Sequence, residues 1–328
     1  MQTYAPYDIF KFIDGWVKKI KQKIINQMGT RISLSIVHPE AENLLEKASH
    51  MLADYEARFS ANNSKSALMM VNQQAGIQPV HVDSDLYDLI QFGKKYSLSS
   101  NLALNITIGP LVKLWKIGFT DAHVPEQKEI EEKLKLIDPT DIKLDADKRT
   151  VYLTKKGMEL DLGALAKGYF ADKLKSFFQN EGVQSGLVDL GGNVLTIGEN
   201  PKYEDGYWRV GIQKPSPVRG DLIGVVLVKD KSVVTSGIYE RSLKVDGKKY
   251  HHIFDSTTGY PIENELASVT IVSDESIDGE LWTTLLFMFS PTAAIQYIDS
   301  IPGIEALIIT KDNDVKTTRG IVPYVVLF

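Results

Sequence analysis

The chain has no cysteine, which excludes disulfides, thiolate metal sites and a cysteine nucleophile together. It also lacks a basic excess: 37 Lys and Arg stand against 42 Asp and Glu, for a formal net charge of -5. A broad nucleic-acid footprint therefore has no electrostatic support, and no nucleic-acid partner is expected. No apolar run approaches the ~20 residues that a membrane-spanning helix needs. The opening MQTYAPYDIFKFIDGW shows no positive stretch followed by an apolar one, so no secretory signal is visible. A cytoplasmic location without stable membrane insertion is the expectation. Internal repeats and low-complexity linkers are missing too. What is present is 328 residues, 43% hydrophobic and 24% charged, which is ordinary globular composition in a chain long enough for a large core.

Hydrophobic period and turn residues place the elements. Between residues 10 and 25, Phe10, Ile13, Trp16, Ile20 and Ile24 recur at spacings of three or four, with Lys11, Lys18, Lys19, Lys21 and Lys23 interleaved. That spacing predicts a helix, read either as a basic membrane-surface element or as an arm, residues 1–25, docked on a domain formed by 26–328. Alternation at Ile32, Leu34 and Ile36 predicts a strand. The apolar face Leu44, Leu45, Ala48, Met51, Leu52, Tyr55 and Phe59 predicts a helix over 41–59. Further helices are expected near 85–98, from Pro110, over 126–136, after the central stretch, over 276–289 and over 292–300. Short strands are expected near 187–190, 207–213, 222–229, 232–236, 249–254 and 266–273, with closing strands at 306–309 and 322–328. The fold class is α+β, a single large domain of mostly antiparallel sheet with helices outside.

The chemistry concentrates in Asp161-Leu162-Gly163-Ala164-Leu165-Ala166-Lys167-Gly168-Tyr169. The pattern reads as a strand end feeding a helix start, where free N–H groups and the positive dipole end favour an anion. Small residues admit a ligand or metal to the main chain, and Lys167 adds a point charge against a phosphate. This is the pattern of a pyrophosphate site, although small residues equally suit close packing of a helix on a sheet.

Three other clusters carry donors or ligands. Thr235-Ser236-Gly237 ends a strand in groups suited to a phosphate or a ring edge, or simply to a turn. His251 and His252 face opposite ways by strand alternation. Asp255, three residues past His252, is positioned to orient that imidazole as a general base, with an ordinary pKa of about 6.5. Asp278, Glu280, Thr283 and Thr284 head a helix, with Glu280 and Thr284 on one face at i and i+4. Carboxylate with hydroxyl is hard-ligand chemistry suited to Mg²⁺, while Asp278 equally suits a helix cap.

The order of these motifs resembles that of the ApbE-type FAD:protein FMN transferases, over roughly residues 26 to 318. The resemblance runs through Met28-Gly29-Thr30, the Phe59 to Asn72 loop, Thr107 to Trp115, Asp161 to Tyr169, Gly191-Gly192, Thr235 to Arg241, His252 to Pro261 and Thr283 to Phe287. It implies an ApbE-like fold and an enzyme that binds FAD with Mg²⁺. Such an enzyme cleaves the FAD pyrophosphate, moves FMN through a phosphoester bond onto a Thr or Ser of an acceptor flavoprotein, and releases AMP. By position, the resemblance implies FAD contacts at Met28, Asn62, Ala103, Leu104, Asn105, Asp161 and Lys167. Thr235, Ser236, Gly237 and His252 complete that set. It implies His252 as catalytic base, assisted by Lys167, and metal oxygens from Ala164, Thr284 and either Asp278 or Glu280. The family usually has aspartate where Asn105 stands and an aromatic where Asn62 stands; its metal helix reads Asp-Ala-Leu-Ala-Thr where this chain has Glu280-Leu281-Trp282-Thr283-Thr284. The family's own acceptor pattern is absent, so the acceptor is expected to be another protein. Rival readings are a Mg²⁺-dependent FAD pyrophosphatase and a non-catalytic flavin-binding protein.

Overall fold

The computed structural model describes residues 20–99, 104–216 and 220–328. It opens with a hairpin of β1 (Lys21–Gln27) and β2 (Thr30–Ile36). The two turn residues, Met28 and Gly29, both take positive φ, 52° and 68°, the combination whose twist matches a two-residue hairpin. The helical spacing over residues 10 to 25 is thus not followed at its end, and its earlier part lies outside the described residues. The reason is tertiary. Lys21 and Lys23 reach across to Glu42 and Glu46 of the next helix, and the charged residues suit a strand at a sheet edge.

Next come α1 (Ala41–Phe59), α2 (Ala67–Gln73), β3 (Val80–His81), α3 (Ser84–Ser97), α4 (Gly109–Trp115) and α5 (Gln127–Leu134). Ser66 caps α2 by accepting from Met69 N–H at 2.9 Å, and Asp83 caps α3 by accepting from Leu86 N–H at 3.0 Å. These are the short polar side chains that helix starts favour. Then β4 (Ile142–Asp145) and β5 (Thr150–Leu153) pair with β3 in a small sheet. The central helix is α6 (Ala166–Asn180), followed by β6 (Ser185–Leu190), β7 (Asn193–Gly198), β8 (Trp208–Gln213), β9 (Leu222–Val228) and β10 (Ser232–Gly237). A ribbon of β11 (Ser242–Val245) and β12 (Lys248–His251) precedes β13 (Leu266–Ser273), α7 (Ser276–Leu285), α8 (Pro291–Ile298), β14 (Glu305–Thr310), β15 (Val315–Thr317) and β16 (Val325–Leu327).

Among the described residues the main sheet has eight strands in the order β1-β2-β6-β7-β10-β13-β14-β15. Every neighbouring pair is antiparallel. This is the antiparallel α+β class expected, and β13, an interior strand between β10 and β14, is buried at every position. The largest core lies between β2, β6 and β7 and helices α1, α3 and α6, around Leu34, Leu52, Leu86, Phe170 and Val188. A second joins β13 and β14 to α8, and a third seats the β8, β9 and β16 layer through Trp208, Val226 and Leu307. Trp115, 0% exposed, centres a fourth with Leu111, Ile130 and Phe254, and its indole N–H donates to Gly259 O at 3.0 Å.

Helices α6 and α7 lie side by side against this sheet, touching β6 and β7 and β10 and β13 respectively. The two chain regions that carry the candidate oxygens and charges, a hundred residues apart in sequence, are therefore neighbours.

Candidate active site

The segment leading into α6 belongs to no strand; the preceding strand, β5, ends at Leu153. The expected strand end is replaced by a side-chain clamp. Asn72 donates to Leu160 O at 3.0 Å and accepts from Leu160 N–H at 2.8 Å, while Asp161 N–H donates to Ile106 O at 2.9 Å. The chain then turns at Leu162, whose carbonyl accepts from both Leu165 and Ala166 at 2.9 Å. Gly163 and Ala164 are exposed. The Ala164 carbonyl accepts no backbone hydrogen bond, and the N–H groups of Lys167 and Gly168 find no backbone acceptor, among the described residues. Free N–H groups are what a helix start offers to an anion, and a carbonyl oxygen without a backbone donor can ligate a hard cation. Asp161 Oδ1 accepts from Gly163 N–H at 2.8 Å. Burial raises the Asp161 carboxyl above its usual range, against that bond and the charges of Arg241 and Lys113.

Helix α7 meets this turn edge-on. A Cβ at Gly168 would stand 2.5 Å from Ser276 O and 2.8 Å from Glu280 Cγ, so only glycine permits the approach. Glu280 is 4% exposed. Its Oε1 accepts from Asn193 Nδ2 at 2.8 Å and lies 3.2 Å from Lys167 Nζ. Thr284 Oγ1 and Thr283 Oγ1 each donate to Glu280 O at 3.1 Å. Ser236 Oγ at the end of β10 donates to Thr283 Oγ1 at 3.0 Å, and Thr235 shares a 2.8 Å hydroxyl contact with Thr270. Gly237 is buried, with the Tyr239 ring where a Cβ would project.

Asp278 lies on a different side of α7, since about 200° of helical rotation separates it from Glu280, against about 40° between Glu280 and Thr284. Burial raises its carboxyl, with Glu275 and Asp274 adding to the rise. It does not cap the helix. The N-cap is Glu275, which makes no capping bond. Asp172 of α6 supplies the cap instead, accepting from Ser276 N–H at 2.6 Å and Ile277 N–H at 2.8 Å.

Strand β12 ends at His251, so alternation does not extend to His252; the two histidines differ in their partners, and of the two only His252 has a ring nitrogen to spare. His251, 6% exposed, uses Nε2–H on Ile262 O at 2.8 Å and accepts from Ile253 N–H at Nδ1. His252 Nδ1 lies 3.2 Å from Arg241 O; a carbonyl can only accept, so Nδ1 carries the proton and Nε2 keeps its lone pair. Asp255 does not orient it: its Oδ1 is taken by Thr257 N–H at 2.8 Å and Thr257 Oγ1 at 2.6 Å. Nor is the imidazole at its ordinary value. Burial lowers it to about 4, partly opposed by the Arg241 carbonyl and helped by the charges of Arg241, His251 and Lys167.

Arg241 acts on both Asp161 and His252, and Lys167 acts on both His252 and Asp189, so these groups share one electrostatic neighbourhood. Asn105 adjoins Asp161 through Ile106, with its Oδ1 held by Thr107 N–H at 3.0 Å and Thr107 Oγ1 at 2.7 Å. Leu104 turns its side chain into the core, leaving only main chain for a ligand. Met28 sits on the hairpin turn with its N–H on Glu56 at 3.0 Å; the adjoining Thr30 lies against Gly191, where a Cβ would be 2.1 Å from its hydroxyl oxygen. Asn62 is exposed, three residues beyond Phe59, whose ring lies 6.3 Å from that of Tyr169. Ala103 lies outside the described residues. Three polar groups that organise the site, Asp172, Asn193 and Ser276, were not singled out from the sequence. Their work is done across elements, and no local spacing signals it.

No group of three or more His, Asp and Glu residues that could hold a metal occurs among the described residues. A Mg²⁺ ion held by one carboxylate, a hydroxyl and a carbonyl needs no such group, because Mg²⁺ commonly completes its octahedron with water and substrate phosphate. The donors fit: among the described residues the Ala164 carbonyl has no backbone donor, and both contacts to the Glu280 carboxylate fall on one of its two oxygens.

A large antiparallel sheet with the α6 start set beside the Glu280 edge of α7 defines an α+β class distinct from the doubly wound dinucleotide folds. Its membership is narrower than that. The model of the ApbE family matches residues 28–308, and the chain belongs to that family. It is 41% identical over 289 residues to the FAD:protein FMN transferase of Klebsiella pneumoniae (strain 342), covering 88% of each chain. It is 38% identical to the FAD:protein FMN transferase of Treponema pallidum (strain Nichols), covering 86% of this chain and 81% of that one. Among solved structures, the ApbE protein of Thermotoga maritima superposes with a TM-score of 0.83 at 28% identity, covering 93% and 99% of the two chains. The flavin transferase ApbE of Vibrio cholerae, 24% identical with a TM-score of 0.81 over 93% and 99%, shares the fold.

Proposed function

We propose that this chain is a Mg²⁺-dependent FAD:protein FMN transferase that attaches FMN through a phosphoester bond to a Thr or Ser of an acceptor flavoprotein and releases AMP. The observation that carries the reading is the meeting of the α6 start with the Glu280 edge of α7, in electrostatic reach of His252. The names of the relatives agree with it.

In this reading the free N–H groups of Lys167 and Gly168 and the Lys167 ammonium receive the FAD diphosphate. Asp161, Asn105 and the Thr235-Ser236-Gly237 strand end bind the remainder of the nucleotide, with Met28, Asn62, Ala103 and Leu104 at its margin. Ala164 O, Glu280 and Thr284 would hold Mg²⁺, whose contribution when bound is to neutralise charge on the non-bridging phosphate oxygens. Glu280 fills this role rather than Asp278, because it shares a helix edge with Thr284 and faces α6. The acceptor hydroxyl oxygen bonds to the FMN phosphorus, the bond from that phosphorus to the bridging oxygen breaks, and AMP departs with the electron pair. His252 Nε2 takes the hydroxyl proton. An anionic diphosphate beside the imidazole pulls its pKa back up, which makes it a stronger base in the complex than in the free protein.

The test is incubation with FAD and Mg²⁺, with and without candidate acceptors, followed by AMP quantification and mass spectrometry of fluorescent protein. Acceptor-dependent AMP and a protein gaining one FMN are expected. AMP and free FMN without labelled protein would mean hydrolysis by water, and stoichiometric FAD binding without AMP would mean a non-catalytic binder. A cytoplasmic setting is part of the proposal and is checked by cell fractionation. Among the described residues no helix is long and apolar enough to cross a membrane.

A further inference from the structure

We propose that Asp172 is a positioning residue for this centre: by capping α7 from α6 it fixes the Glu280–Thr284 edge opposite the Ala164–Gly168 turn. The inference rests on the function proposed above and adds to it a residue that touches neither nucleotide nor metal.

Helix α7 begins without a side-chain cap of its own. A serine or aspartate at position 275 would satisfy the same N–H groups locally. Instead each oxygen of the Asp172 carboxylate takes one of them, Ser276 N–H at 2.6 Å and Ile277 N–H at 2.8 Å, from 104 and 105 positions away. A cap supplied by a second helix is also a clamp between the two. Gly168, one turn before Asp172 on the same face of α6, lets the helices touch at Ser276 and Ile277. One turn after Ser276 on α7 comes Glu280.

The contacts continue without a break from cap to site. Ser276 Oγ donates to Asn193 Oδ1 at 2.8 Å, Asn193 Nδ2 donates to Glu280 Oε1 at 2.8 Å, and Glu280 Oε1 lies 3.2 Å from Lys167 Nζ. Ser276, Asn193 and Glu280 are all buried. Sliding α7 by one residue, about 1.5 Å, would break both Asp172 bonds and carry Glu280 away from Lys167. Displacements of about 1 Å are enough to cost roughly 100-fold in rate when catalytic groups are misplaced.

The test uses Asp172→Asn in the full chain. Asparagine keeps the size and one acceptor oxygen but turns an NH₂ toward the second N–H. Mg²⁺ is titrated by calorimetry into the FAD complex without acceptor, and amide exchange is followed at Ser276 and Ile277. Expected are Mg²⁺ affinity weaker by about 10-fold or more, faster exchange at those two amides, and unchanged FAD affinity without Mg²⁺. A folded variant with the parent's Mg²⁺ affinity and a merely lower denaturation midpoint overturns the inference. Should Asp172→Asn not fold, Asp172→Glu keeps the charge while pushing the helices apart. Weaker Mg²⁺ binding with the amides still protected supports the inference, and parental affinity overturns it. A parent that neither binds Mg²⁺ nor cleaves FAD would instead sink the function on which the inference rests.

Discussion

The imidazole of His252 has one nitrogen spent on the Arg241 carbonyl and one left for chemistry, whereas its neighbour His251 has spent both. His252→Ala is therefore expected to keep FAD binding within a few-fold of the parent and to lower transfer by roughly 10²–10⁴, the usual worth of a general base; stopped-assay AMP release with parallel fluorescence titration checks this. Strand alternation stops at His251, where β12 ends. It could not name the orienting group either, because a backbone carbonyl has no signature in sequence and Asp255 was committed to its own turn. The choice between two carboxylates was similarly open in the sequence, and the helix places Glu280, not Asp278, on the edge shared with Thr284. Glu280→Ala should raise the Mg²⁺ concentration for half-maximal turnover by about 10-fold or more, and Asp278→Ala should leave it near the parent's. The reverse ranking in a Mg²⁺ titration of initial rates would move the metal to the other side of α7.

Helices α6 and α7 show how tight packing limits substitution. An alanine inside a helix ordinarily gains up to about 1 kcal/mol over glycine. At Gly168 the added methyl would meet Ser276 O at 2.5 Å and Ile277 Cα at 2.7 Å, atoms of the partner backbone that cannot swing aside. Gly168→Ala should thus cost about 1–3 kcal/mol, read as a lower urea midpoint, and should weaken Mg²⁺ binding in parallel. The long helices α1, α3 and α6 were legible because each repeats its apolar face several times. The strands β3, β4 and β5, two to four residues each, carry too few positions for a period to emerge. At β1 the lysines fit a helical spacing and a strand equally well, and the acidic side chains of α1 that decide between them lie well downstream in the chain.

For the molecule as a whole, acid is the informative stress. Burial holds His251 at about 4, against the ordinary imidazole value of about 6.5. The unfolded chain therefore binds the extra proton first, so this group's contribution is intact above about 6.5 and declines as the pH falls toward 4, by roughly 3 kcal/mol at most. Asp172, raised to about 7 by burial, works the other way: the folded state binds its proton first, so stability on its account grows as the pH falls below 7. The two slopes overlap, and only a comparison separates them. His251→Asn should flatten the loss of stability between pH 6.5 and 4 in urea titrations relative to the parent, and an unchanged slope would refute the assignment. The fold class was visible in the sequence through the succession of short strands and amphipathic helices, and the pairing order of the sheet was not, since antiparallel neighbours here include strands as distant as β2 and β6.

The cap that Asp172 places on α7 spans 104 positions, which has a consequence during synthesis. A nascent chain emerging from the ribosome has made α6 long before α7 exists, and loop closure across that interval must wait until Ser276 and Ile277 are translated. Until then the helix start has no opposing edge, so on the proposed function the half-made polypeptide lacks the Glu280–Thr284 side of its centre, and that side arrives only with α7.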